Sequence, residues 1–281
     1  GSLTVVSSIV DELGESVAIV PEDELREFES TNYVRSKLNT GGDQLHKVWT
    51  HLGLILYSDV VQHLYDFLPQ QASKFDANVV IKSTIDSLWQ ASLEDILIAF
   101  DWKTSDKLHV NIDQPTIDRI EIRKNERKKH NLSLDAIRKH EFETFIPSTY
   151  RTLFSKAALS LARSSNADIS PEEQQKQVDD LVSNAVKEAL SGDLNQYIPG
   201  AVIPTSLYCL YENDTSKKLT SNDWFDMNHA SVALPYADLF FTEKHLKHQI
   251  CNVLNFDRDY KCKVISSIDE AIIALANLKK N

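Results

Sequence analysis

The stretch from Asn222 to Ile250 constrains the fold of this chain more than any other. Apolar or small residues at Phe225, Met227, Ala230, Ala233 and Leu234 keep a helix-like spacing. Asn222 or Asp223 supplies an oxygen for the N-terminus, where orphan amides and the helix dipole favour one. Pro235 stops the helix. Leu239-Phe240-Phe241 is then a short apolar run before the polar Thr242-Glu243-Lys244, which predicts a buried strand of a parallel sheet. A helix feeding such a strand implies a crossover. In open α/β sheets ligands bind beyond the carboxyl ends of the strands, so Thr242 and Glu243 fall at the working edge. Asp226, near the start of the helix, approaches that edge only if the next layer of the fold places it there.

With 281 residues the chain can bury one generous core or two modest ones. Only seven glycines and eight prolines favour a helix-rich fold with few turns. A net charge of −11 argues against a general polyanion binder, because phosphate contacts need positive charge, but it leaves room for a local basic groove. Cys209, Cys251 and Cys262 show no CxxC spacing, which points to a reduced, cytoplasmic setting rather than a disulfide scaffold or zinc site. No apolar run approaches the ~20 residues of a membrane span and no signal peptide is recognisable, so no membrane partner is expected.

Taken in order, Leu3 to Leu13 has helical periodicity and ends at Gly14. Val17 to Val20 is a short strand closed by Pro21, and Asp23 caps a helix from Glu24 to Ser30. Residues from Thr31 to Tyr197 form a mostly helical block, with apolar stripes over Gln44–Phe67 and Val79–Phe100 and a less regular segment from Trp102 to Ile122. Leu134 to Arg163 reads as two helices broken at Pro147. Ser170-Pro171-Glu172-Glu173 is a strong helix start, and Gly192 ends that helix. Arg123, Lys124, Arg127, Lys128 and Lys129, with His130 and Arg138-Lys139-His140 nearby, make a local basic cluster in an acidic chain. It reads either as a solvated helix or as a footprint for a phosphate backbone. Near the end, Lys263 to Ser266 is a final strand and Ile272, Ile273 and Leu275 of the last helix are expected to pack inward.

Together, Asp226, Ala230-Ser231, Leu239-Phe240-Phe241 and Thr242-Glu243 resemble the C-terminal half of a PIN-domain nuclease. Phe225, His229, Leu234-Pro235-Tyr236 and Asp238 strengthen the likeness to PIN-like proteins of bacteria. The resemblance implies an α/β fold, a small parallel sheet flanked by helices, carrying a large mostly helical insertion. Residues 1–30 would be the first part of that core, 31–197 the insertion, and 198–281 the second part. It also implies clustered carboxylates whose repulsion is relieved by Mg²⁺ or Mn²⁺, with Asp226, Glu243 and Glu29 (or Glu27) as ligands and Thr242 positioning a ligand or phosphate. The same glutamates read equally as a solvated face in a first helical turn. His229 is expected to be buried and hydrogen-bonded. Asp238 stays outside the shell, ~13 Å from Thr242 at ~3.3 Å per strand residue.

One departure matters: the apolar strand ending in Asp with which such a domain begins has no counterpart before Leu3. Either that strand lies outside this sequence or the leading acid is lost. Two functions follow from the resemblance. One is a metal-dependent endoribonuclease that hydrolyses single-stranded RNA, as a toxin or defence effector. The other is a catalytically inactive module that binds a protein or RNA partner or a second copy of itself.

Overall fold

The computed structural model describes residues 17–19, 22–38, 49–51, 83, 114–165, 169–214 and 216–278. The chain divides into two units, Gly1–Pro21 with His46–Val110 and Glu22–Leu45 with Asn111–Asn281. This division falls elsewhere than at 30/31 and 197/198. The helix expected over Leu3–Leu13, most of the two stripes at Gln44–Phe67 and Val79–Phe100, and the segment from Trp102 to Asp113 lie outside the described residues.

In the first unit, β1 (Val17–Ile19) pairs antiparallel with β2 (Trp49–His51), Val17 opposite His51 and Ile19 opposite Trp49. The periodicity around Leu45 and Val48 predicts helix at β2. Trp and Thr suit a pleated strand equally well, and the pairing decides the outcome.

The second unit is built on helices. Its order is α1 (Glu22–Leu38), α2 (Gln114–Lys129), α3 (Leu134–Ser164), α4 (Pro171–Ser191), a 3₁₀ turn (Asp193–Gln196), α5 (Pro199–Asn213) and α6 (Ser221–Tyr236). Then come β3 (Leu239–Phe241), α7 (Lys244–His248), a π-helical segment (Gln249–Leu254), α8 (Phe256–Asp259), β4 (Lys263–Ile265) and α9 (Ile268–Leu278).

The core is a helix-on-helix layer. α3 buries Phe142, Ile146, Tyr150, Phe154 and Ala158 at intervals of four, a single stripe down one side. That stripe explains why the break expected at Pro147 is absent. A proline inside a helix costs about 3 kcal/mol, and burying each large side chain returns ~1.5–3 kcal/mol. The uninterrupted helix wins. Tyr33 of α1 stacks on Phe154 with ring centroids 5.1 Å apart. Val178, Leu181 and Ala185 of α4, Val202 and Leu207 of α5, and Met227, Ala230 and Leu234 of α6 complete the same cluster. The ends of α4 follow the sequence directly: Ser170 and Glu173 form a reciprocal capping box, and Gly192 closes the helix at φ 90°.

The expected α/β class is therefore corrected. Among the described residues the protein is mostly helical, and its parallel sheet is the two-stranded pair β3–β4, with Leu239 opposite Lys263 and Phe241 opposite Ile265. α6 leads into β3, but the crossover between the parallel strands runs from β3 to β4 through α7, the π-helical segment and α8. Three-residue strands bury little, and helix stripes supply the core instead. β1, expected in that parallel layer, pairs antiparallel with β2.

The final helix also turns the other way. Ile272 and Ile273 of α9, expected inward, are 60% and 61% exposed, while Ala274 is buried. Small side chains let the helix lie close to its support, and the isoleucines are left on the outer side. Among the described residues no helix is long and apolar enough to cross a membrane.

Candidate functional site

The start of α6 and the end of β3 carry the acids that the sequence singles out near the chain's end. α6 starts from Thr220, not from Asn222 or Asp223. Thr220 N–H and O–H donate to Asp223 Oδ2 at 2.8 and 2.6 Å, and Asp223 N–H donates back to Thr220 Oγ1 at 3.3 Å. The other oxygen of Asp223 accepts from Tyr211 O–H at 3.0 Å and Lys217 Nζ at 2.6 Å. Burial pushes the Asp223 carboxyl up, but these bonds outweigh it and hold the group below the ordinary aspartate value. Lys217 also lies 4.9 Å over the Tyr211 ring. Tyr211 and Lys217 are absent from the sequence motif; the Thr220-x-x-Asp223 spacing is the signal that leads to them.

One turn into α6, Asp226 is half-buried with no comparable set of donors. Its carboxyl titrates above the ordinary value because burial disfavours the charge and because Glu243 adds a second negative charge; His229 partly offsets this. Glu243 is exposed, at the N-cap of α7. Next to it, Thr242 donates its backbone N–H to Ile265 O at 2.8 Å, which ties the end of β3 to β4. The charge of Glu243, at the carboxyl end of β3, thus reaches Asp226. His229 is exposed rather than buried, and Asp238 sits exposed at the opposite end of the strand, its carbonyl accepting from Lys263 N–H at 2.9 Å.

The expected third ligand is elsewhere. Leu25, Glu29 and Tyr33 recur every four residues on the buried side of α1, so Glu29 faces the core rather than solvent. Its Oε2 accepts from Gly200 N–H at 3.0 Å and its Oε1 from Tyr236 O–H at 2.7 Å. Gly200 lies in the first turn of α5, where amides and the dipole favour an anion. A Cβ on Gly200 would stand 2.8 Å from Glu29 Oε2, so any other residue there would push the carboxylate out of this position. Glu27 is exposed and pairs with Lys156 at 3.4 Å.

The four acids do not share one centre. Among the described residues no group of three or more His, Cys, Asp or Glu stands where it could hold a metal ion. The donor set at the rim, two carboxylates, does not make a closed cage. Octahedral Mg²⁺ and Mn²⁺ commonly keep several waters and take only one or two carboxylates from a protein.

The basic cluster divides as well. Ile120, Lys124 and Arg127 share the inner face of α2. Lys124 is buried, its Nζ donating to the carbonyl of Lys217, and Arg127 pairs with Glu141 and Glu212. Arg123, Lys128 and Lys129 remain exposed, so the available positive surface is smaller than the sequence suggests.

No family model matches this chain, and no curated protein or solved structure is significantly similar to it.

Proposed function

We propose that the rim formed by Asp226 and Glu243 binds Mg²⁺ or Mn²⁺ and that the protein hydrolyses phosphodiester bonds of single-stranded RNA. One arrangement carries this reading: Asp226 lies half-buried on α6, Glu243 caps α7 beyond the carboxyl end of β3, and burial together with the charge of Glu243 disfavours the ionised Asp226. A repulsion that the fold tolerates rather than relieves is characteristic of a functional site. When bound, the ion supplies a Lewis acid and an activated water. Asp226 and Glu243 would hold it. The network of Asp223, Tyr211 and Lys217 fixes the first turn of α6, and so the direction in which Asp226 points. The Thr242 N–H bond to β4 fixes the start of α7, and with it Glu243. Arg123, Lys128 and Lys129 are the exposed cations available to a phosphate backbone.

Glu29 favours a second reading. With both its oxygens bonded inside the core, the rim keeps two of the expected acids, which suits a module that binds RNA without cutting it. Cleavage of end-labelled single-stranded RNA in Mn²⁺ tests the first reading, comparing the intact chain with Asp226→Asn. The expected result is metal-dependent cleavage that falls at least 100-fold in the variant. Equal cleavage by both proteins overturns the role of Asp226. No cleavage by the wild type with any divalent metal, together with retained binding in a filter assay, selects the second reading.

A further inference from the structure

α9 turns an apolar side to solvent. Its inner side carries the buried Ala274 with the half-buried Ala271 and Leu275, and Glu270 is held by Lys247 of α7 at 3.0 Å. On the outer side Asp269, Ile272, Ile273 and Ala276 are all exposed. They stand at i, i+3, i+4 and i+7, the spacing that makes one helix face. Ile268 flanks them and is 79% exposed. Isoleucines scattered singly over a surface need no explanation, but three of them beside one another on an eleven-residue helix make a patch of the kind that marks an interaction site.

The residues along this face complement the same face read backwards. Lys280 follows Asp269 by eleven residues in the sequence, about three turns at ~3.6 residues per turn. Let a second α9 lie antiparallel across the first, with a twofold axis between Ala274 and Leu275. Ile273 of each copy then meets Ala276 of the other, Ile272 meets Asn277, and Asp269 meets Lys280. Large side chains fall opposite smaller ones, opposite charges face each other, and each contact occurs twice, as a twofold interface requires. The helix dipoles also run head to tail. A parallel pairing would instead set Asp269 against Asp269. An anionic membrane suits the face less well, because helices that lie in such surfaces carry Lys and Arg on their polar side, whereas the first turn here presents Asp269 and Glu270.

From this self-complementarity we infer that two copies of the chain associate through antiparallel α9 helices, with the isoleucines at the centre and an Asp269–Lys280 pair at each end. The patch is small for an interface, so the dimer is a weak, reversible one. It stands or falls independently of RNA hydrolysis.

Sedimentation equilibrium of the full chain at low salt, where charge pairs are least screened, tests it. The expected result is a monomer–dimer equilibrium. Ile273→Asp should weaken it at least tenfold; the position is exposed, so the fold is retained, which circular dichroism checks. Asp269→Lys and Lys280→Glu should each weaken dimerisation at least threefold. Mixing those two variants in equal amounts should restore it, because in the mixed pair both end contacts again join opposite charges. A wild type that stays monomeric up to about 100 μM, dimerisation unchanged by Ile273→Asp, or no recovery on mixing overturns the assignment.

Discussion

At the N-terminus of α5, Glu29 has a donor for each carboxylate oxygen; at the end of β3, Asp226 faces the charge of Glu243 instead. Glu29 is buried and Asp226 half-buried, and both lie on helices that contribute to one core. The difference lies in what each carboxylate does for its surroundings. Glu29 joins α1 to the start of α5 and the end of α6, and its removal would orphan two donors. Asp226 ties no two elements together in this way, and its charge is opposed by Glu243 and only partly offset by His229 and Lys217. A satisfied buried acid is part of the scaffold, whereas a frustrated one marks a place where the fold gives up stability for another purpose.

The largest effect expected from this contrast is at the scaffold acid. Glu29→Leu leaves the Gly200 N–H and the Tyr236 O–H buried without their acceptor. At ~1–3 kcal/mol for each orphaned group, the variant should lose about 3 kcal/mol. A urea unfolding midpoint measures this. Gly200→Ala should be destabilising by ~1–3 kcal/mol, because the new methyl meets Glu29 Oε2 at 2.8 Å. Neutral outcomes for both would mean that the link between α1 and α5 is dispensable, and the contrast with Asp226 would collapse.

How far the sequence leads differs between the two acids for the same physical reason. Asp226 and Glu243 are 17 residues apart, joined by one helix and one strand; the apolar run places Glu243 at the end of β3, whereas setting Asp226 beside it comes from the resemblance and not from spacing. Glu29 reaches partners 171 and 207 residues away. No local pattern reports on such a pairing, and an acid two turns into a helix looks the same whether it faces water or a distant amide. Pro147 misleads similarly, because the stripe that keeps α3 intact gains its energy from α1, α4 and α5 rather than from α3 alone. On α9 the isoleucines obey the helical period, yet period alone does not say which side faces the core. The capping box of α4 and the glycine that ends it were legible because each is satisfied within a few residues.

A smaller effect separates the acids of α6 themselves as pH changes. The Asp223 carboxyl is lowered in the fold, so its stabilisation is present above the unfolded value of about 3.9 and is lost as pH falls through the folded value. The Asp226 carboxyl is raised, so its ionised form costs stability, and that cost disappears as pH falls through its folded value towards about 3.9. Acidification from neutrality should therefore first add a little stability through Asp226 and then remove it through Asp223. Urea midpoints between about pH 3 and pH 7 for the wild type and Asp226→Asn resolve the two phases. The early gain should be missing from the variant, and superimposable profiles would show that Glu243 does not act on Asp226.

The smallest expected change in stability has the opposite sign to that at Glu29. Asp226→Asn keeps the side-chain shape and removes the repulsion from Glu243, so at pH 7 the variant should be slightly more stable than the wild type. The gain should stay below ~1 kcal/mol, because solvent reaches both groups and screens them. Its value lies in being read beside the RNA assay. A variant that gains stability while losing cleavage has given up a strained functional group, the trade expected where a site is maintained against the preference of the fold. If the substitution instead costs more than ~1 kcal/mol, Asp226 is a scaffold acid like Glu29. The rim would then lose its claim to be a site, whatever the metal assays report.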